Sequence, residues 1–176
     1  MVKQPQIKFY LIKVFFFITI NISFSQTKKI ELIINDTIKA SHEVTSQKNI
    51  SIKIDSVNIT ELKFYPNSSI RNVLIKQNEN KFLKLGFNYV GILISSGEYK
   101  LVGDTITADG LHYHYTDDGI LSHIYSYKNG VLNGIYKSYY LNGMLEQFGN
   151  YVNGQKKGKW IRYSEKGLVV KVENLE

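Results

Sequence analysis

The feature that most constrains this chain is a gapless internal repeat. Three segments beginning at Gly110, Gly134 and Gly158 lie 24 residues apart: "GLHYHYTDDGILSHIYSYKNGVLN", "GIYKSYYLNGMLEQFGNYVNGQKK" and "GKWIRYSEKGLVVKVENLE". Glycine opens each unit. His112, Tyr136 and Trp160 share the third column, and Tyr115, Tyr139 and Tyr163 the sixth. Gly119, Gly143 and Gly167 share the tenth, and Leu121, Leu145 and Val169 the twelfth. A period of this length marks one supersecondary unit that stacks on its own copies.

The unit reads as a β-hairpin. Six residues rich in aromatics make a first strand. A turn then ends on glycine ("DDG", "LNG", "EKG"), which takes positive φ without a Cβ clash. A second strand follows, and Asn129-Gly130 or Asn153-Gly154 turns the chain into the next unit. Asn-Gly is the strongest short signal for a two-residue type I′ hairpin turn. The third and sixth columns have opposite parity, which predicts a bulge or strong twist between them. A lone hairpin is marginal in water, so the units must stabilise one another. Lys171, Glu173 and Glu176 place charge on the last strand, as an edge that must not recruit other chains requires.

Residues 26–109 carry no convincing copy of the repeat but also read as β. "KKIELII", "NISIKID" (Ile50, Ile52 and Ile54 on one face), "ITELKFY", "VLIKQ", "KFLKLGF" and "YVGILI" are candidate strands. "NDT", "YPNSS", "NENK", "SSGE" and "VGD" are the turn signals between them. This region is expected to form a small β domain that caps the first repeat, with a boundary near Asp104 to Gly110. The fold expectation is therefore all-β: an antiparallel sheet of stacked hairpins, units 110–133, 134–157 and 158–176, preceded by that small domain.

"GIYKSYYLNGMLEQFGNYVNGQKKGKW" resembles the bacterial variant of the MORN repeat, the type in YwqK-like proteins. That pattern runs Gly-x-Trp-x-x-Tyr-Tyr-x-Asn-Gly-x-Leu, then Tyr-x-x-Gly, then Gly-x-Trp. The resemblance covers 110–176; the first unit departs from it at His112 and at "TDDG". It implies an elongated twisted sheet and a role in interaction or scaffolding. Some members carry an antitoxin label, and the repeat's name reflects membrane association.

Residues 1–25 read as a secretory signal peptide: Lys3, Lys8 and Lys13 without an acid, the apolar "VFFFITI", then Ser23 and Ser25 before a cleavage point at Gln26. The apolar run is short for a membrane span of ~20 residues. The product is expected outside the cytoplasm. The whole chain carries net charge +7; losing three lysines and no acid leaves 19 basic against 15 acidic residues, +4. Those charges are scattered, which argues against a nucleic-acid footprint. The chain has no cysteine, so it holds no disulfide, thiolate metal site or thiol nucleophile.

Candidate chemistry is sparse. His112 and His114 share a strand face, and Asp117, Asp118 and His123 lie close in sequence, but no ligand spacing specific to a metal appears. No nucleophile, base and orienting group assemble, so no catalytic residue, metal or cofactor is assigned. The Asn-x-Ser/Thr triplets at Asn35, Asn49, Asn58 and Asn67 are chance matches in an Asn-rich chain. The aromatics carry most weight. The sixth-column tyrosines read as the repeat's own core, through cross-strand aromatic pairs. Tyr136, Tyr140, Trp160 and Arg162 are the candidate partner surface, Tyr140 foremost because the other units have no aromatic there. The expected function is non-enzymatic protein–protein interaction or scaffolding at the bacterial envelope, with an unknown protein partner. The alternatives are an antitoxin that binds its toxin, or peripheral binding to anionic lipid through Lys156, Lys157, Lys159 and Arg162.

Overall fold

The computed structural model describes the backbone of residues 7–10, 17–24, 28–34, 37–44, 52–54 and 57–176 except 68, and side chains from residue 58 onward. Residues 25–27, around the expected cleavage point, lie outside the described residues. So do the side chains of Ile50, Ile52 and Ile54.

Fifteen strands are present and no helix among the described residues. Strands β1 (Ile7–Tyr10), β2 (Phe17–Phe24), β3 (Lys28–Ile34) and β4 (Thr37–Val44) form a four-stranded antiparallel sheet in chain order. The rest form one eleven-stranded antiparallel meander: β5 (Ile52–Ile54), β6 (Val57–Phe64), β7 (Ile70–Lys76), β8 (Lys81–Phe87), β9 (Leu93–Val102), β10 (Thr105–Tyr115), β11 (Leu121–Lys128), β12 (Val131–Tyr139), β13 (Leu145–Val152), β14 (Gln155–Tyr163) and β15 (Val169–Leu175). Each strand pairs with its sequence neighbours, so β5 and β15 are the two ends of the sheet.

The two lateral margins of this sheet carry different turns. On one margin the turns are tight. Asn129 and Gly130 have φ of 52° and 80°, and Asn153 and Gly154 have 50° and 82°, the positive pair that type I′ demands. On the other margin the turns are wide. Thr116 N–H donates to Ile120 O and Gly119 N–H to Thr116 O; the same pair of bonds recurs at Tyr140, Gly143 and Met144 and at Ser164, Gly167 and Leu168. The three glycines have φ of 82°, 81° and 77°.

The wide turn also recurs upstream of Gly110. Asn88 N–H donates to Ile92 O and Gly91 N–H to Asn88 O, and Tyr65 N–H donates to Ser69 O. The sheet passes from β9 to β10 through Gly103 and Asp104 without interruption, Val102 opposite Thr105. The hairpin design therefore runs from β6 to β15. Two readings of this region are corrected. "YVGILI" is not one strand: residues 88–92 are a wide turn in which Tyr89 and Val90 are 67% and 56% exposed, and β9 begins only at Leu93. "SSGE" is not a turn: it lies inside β9.

Successive wide turns are tied side chain to backbone. Asn67 Nδ2 donates to Tyr89 O (3.1 Å), Asn88 Nδ2 to Asp117 O (3.0 Å) and Asn142 Nδ2 to Glu165 O (3.1 Å). Tyr65 and Tyr140 open equivalent turns, and their hydroxyls donate to Phe87 O (2.9 Å) and Tyr163 O (2.8 Å).

Bulges fall at both ends of each first strand. Between the third and sixth columns the register shifts at His114/Tyr115, Ser138/Tyr139 and Arg162/Tyr163. The extra residue sits on the second strand of the hairpin: Ser122, Glu146 or Val170. The first strand itself keeps alternating, so the third and sixth columns lie on opposite faces. A second irregularity surrounds each opening glycine, at Ala108/His112, Tyr125/Tyr127 and Phe148/Asn150. There Gly110 and Gly134 have φ of 119° and 110°. These glycines are mid-strand, because the strands begin three or more residues earlier than the repeat columns suggest.

Apolar burial is concentrated in β6–β8. Ile59, Leu62, Ile70, Val73, Leu74, Ile75, Phe82, Leu85 and Phe87 are all buried, each contributing about 1.5–3 kcal/mol on transfer from water. Beyond Phe87 most side chains are half-buried or exposed; that part of the sheet depends on side-chain rows across its faces.

Two glycines separate conformational strain from space. Gly143 has φ of 81° and nothing within 4 Å of an added Cβ, whereas a Cβ at Gly149 would lie 2.2 Å from the Trp160 ring. Gly143→Ala should cost about 1 kcal/mol, the left-handed penalty alone. Gly149→Ala should cost about 1–3 kcal/mol through overpacking and alter Trp160 fluorescence, which Gly143→Ala leaves unchanged. Urea titration with fluorescence checks both.

Candidate functional site

Register carries like residues into rows that cross the strands. One face bears an aromatic row: Gly97 faces His112, His112 faces Tyr125, Tyr125 faces Tyr136, and Tyr136 faces Gly149. Trp160 lies over Gly149. His112 packs edge-on to Tyr99 and Tyr127 (4.9 and 4.7 Å between centroids), Tyr125 edge-on to Tyr136 (5.4 Å), and Trp160 against Tyr136 and Tyr151 (5.3 and 5.2 Å). Edge-to-face pairs add about 0.5–1.5 kcal/mol beyond area burial. Lys156 Nζ caps the Trp160 ring at 4.2 Å from its centroid, a cation–π contact.

A polar row runs beside it on the same face. Ser95 faces His114, then His123, Ser138, Gln147, Arg162 and Lys171 follow strand by strand. Ser122, the bulge residue, donates its hydroxyl to His114 O (3.0 Å) and lies 3.1 Å from His123 Nδ1. The Glu146 carboxylate accepts from Ser138 Oγ (3.0 Å) and meets Arg162 Nη2 at 3.5 Å. The opposite face carries an aliphatic row: Leu62, Val73, Leu85, Ser96, Tyr113, Ile124, Lys137, Phe148, Ile161 and Val172.

The four candidate surface residues are not equivalent. Trp160 is 2% exposed and cannot offer a contact surface. A bare glycine beneath it and rings on two sides bury it even in a single sheet. Tyr136 is half-buried in the aromatic row. Arg162 is exposed beside Glu146. The Tyr140 hydroxyl is engaged at Tyr163 O, an anchoring role shared with Tyr65. The sixth-column tyrosines do not build the ring ladder; Tyr115, Tyr139 and Tyr163 lie on the aliphatic face. The rings that do build it come from the third column and from β11 and β13, and Tyr125, Tyr127 and Tyr151 are the ones column matching undervalued. Their signal was the period of two in "HIYSY".

His112 is buried, and its Nε2 donates to Glu98 O at 2.8 Å. A Cβ at Gly97 would lie 2.3 Å from the His112 ring, which is why glycine stands there. The His112 Nε2 is thus engaged at a backbone carbonyl, and among the described residues no group of three or more His, Cys, Asp or Glu could hold a metal ion. The lipid-binding candidates divide between faces: Lys156 and Arg162 face the aromatic side, while Lys157 and Lys159 pair with Asn150 and Asn174 on the other. No helix among the described residues is long and apolar enough to cross a membrane.

In comparisons with known proteins, no family model matches the chain and no curated protein matches it significantly.

Trp160 Nε1 is buried without a hydrogen-bond partner among the described residues. Trp160→Ala should cost about 3–5 kcal/mol. Trp160→Phe should cost far less, because it keeps a ring and removes an unsatisfied donor whose burial costs about 1–3 kcal/mol. Chemical denaturation of both variants measures the difference.

Burial pushes the His112 imidazole down, only partly opposed by its bond to Glu98 O, and His114 adds to the depression. The unfolded chain then binds a proton that the folded chain resists. Stability is full above the ordinary histidine range and falls as pH drops below it toward the depressed value. His112→Tyr, which copies Tyr136, should flatten this loss. The melting temperatures of both proteins at neutral and mildly acidic pH test it; an undiminished slope in the variant would sink the assignment.

Proposed function

We propose that this is an exported, non-enzymatic protein of the MORN-like repeat type that serves as a protein-binding scaffold at the bacterial envelope. The observation that carries the reading is the composite face: a continuous ring row, in which Tyr125, Tyr127, Tyr136 and Tyr151 are half-exposed between the buried His112 and Trp160, beside a row of hydrogen-bonding side chains, held on a sheet. Aromatic residues and arginine are enriched where proteins meet, and the aromatics combine contact area with few rotatable bonds. Histidine, serine, glutamine and arginine alongside supply directional bonds. The leader-like first 25 residues support the location. The lipid reading is less favoured because its four cations are divided between two faces.

Photo-crosslinking in the native cell tests this. A crosslinker at Tyr136 or Gln147 should yield a discrete protein adduct in the envelope fraction. A crosslinker at Lys137 or Phe148, on the aliphatic face of the same strands, should not. Adducts from both faces alike, or a cytosolic adduct, would overturn the reading.

A further inference from the structure

The outermost strand β15 combines exposed apolar residues with an ordered charge pattern. Val169, Val170 and Val172 are 59%, 63% and 48% exposed, and Leu168 in the turn before the strand is 67% exposed. The strand is bonded to β14 on one side, and among the described residues the sheet order ends with it. An outer strand of this kind presents a row of backbone donors and acceptors to any matching strand. Lys171 and Glu173 flank Val172 on one face, with Lys171 Nζ 2.8 Å from Glu173 Oε1.

We propose that β15 is a homotypic interface, through which two copies of this chain pair antiparallel with Val172 on the two-fold axis. Three features favour a second copy over any other strand. First, the register is self-complementary in charge. With Val172 opposite its own counterpart, Lys171 of each copy faces Glu173 of the other, twice. Shifting the axis to Lys171 sets lysine against lysine, and shifting it to Glu173 sets glutamate against glutamate. Like charges directly opposite are destabilising in a sheet, so the same two residues select one register and reject its neighbours.

Second, a two-fold axis perpendicular to the sheet keeps each face on its own side. The aliphatic row that ends in Phe148, Ile161 and Val172 then continues through the partner's Val172 into an identical row. The exposed end of one row covers the exposed end of the other. Third, the contact is isologous: one patch serves both partners and closes the assembly at two copies. The edge charges thus act as a filter on which strand can dock. The proposal shares Lys171 with the end of the polar row but does not require that the composite face has a partner.

Sedimentation velocity on the purified chain over a concentration series tests it. The wild type should approach twice the chain mass. Lys171→Glu and Glu173→Lys should each weaken self-association by at least about tenfold, since two pairs turn from attractive to repulsive. Both residues are exposed, so circular dichroism should show both variants folded. Mixing the two single variants should restore a dimer, because each now carries the charges the other lacks. The double variant K171E/E173K should dimerise alone. A wild type that stays monomeric, single variants that dimerise undiminished, or a mixture that stays monomeric would overturn the proposal. The mixture is decisive because the bond between Lys171 and Glu173 within one chain cannot produce its rescue.

Discussion

The contact on which the repeat part of this sheet depends is an aromatic ring laid on bare backbone. Trp160 over Gly149 and His112 over Gly97 bring a ring closer to the neighbouring strand than any Cβ would allow. Among the described residues no second layer packs on this part of the sheet, and most residues beyond Phe87 are half-buried at best. The ring must find its burial within the sheet, and a glycine one strand away makes the space. The neighbouring rings then close over it, so that Trp160 is nearly inaccessible within a single sheet of the described residues. Where the site opposite the third column holds Tyr125 instead of glycine, Tyr136 packs edge-on against it. The row alternates between these two solutions.

The two margins complement this arrangement. At the tight margin, Asp109 accepts from Asn129 N–H and pairs with Lys100, and Asn133 donates to Asn153. At the wide margin, asparagine and tyrosine side chains cross from turn to turn. Both sets of bonds join each hairpin to the next, which is the nearest-neighbour coupling that a one-dimensional stack relies on. The aromatic and aliphatic rows do the same across the two faces. Cooperativity is thus carried by four parallel strips of contacts, and the buried apolar cluster of β6–β8 lies at the other end of these ten strands from β15.

What could be read from the residues depended on whether a signal was local. Asn-Gly at 129–130 and 153–154 and the tenth-column glycines translate directly into positive φ, so turns, strand order and the all-β class were legible. The upstream hairpins were not, although they use the same wide turn. Gly91 and Gly119 are 28 residues apart, because β9 and β10 are each two residues longer than β11 and β12, and a gapless 24-residue frame passes over them. "SSGE" failed for a different reason. Its glycine answers to His112 on the next strand, and a requirement from across the sheet leaves no mark on neighbouring residues.

The composite face was harder still to foresee, because rows across strands depend on register, and register here depends on bulges. A one-residue bulge reverses which face the following residues join on the bulged strand. With the extra residue on the second strand of each hairpin, Ser122, Glu146 and Val170 interrupt that strand while the first strand alternates undisturbed. Tyr139 and Tyr136 are then separated onto opposite faces, and His123, Tyr125 and Tyr127 join the third-column rings. Had the bulge residue been on the first strand, the sixth-column tyrosines would have completed the ring row and β11 would have remained peripheral. The bulges also recruit Ser122 and Glu146 to the polar row, where they bond His114 O and Ser138. The chemistry that a partner meets on this face is therefore set as much by where each hairpin carries its extra residue as by which residues the repeat conserves from one unit to the next.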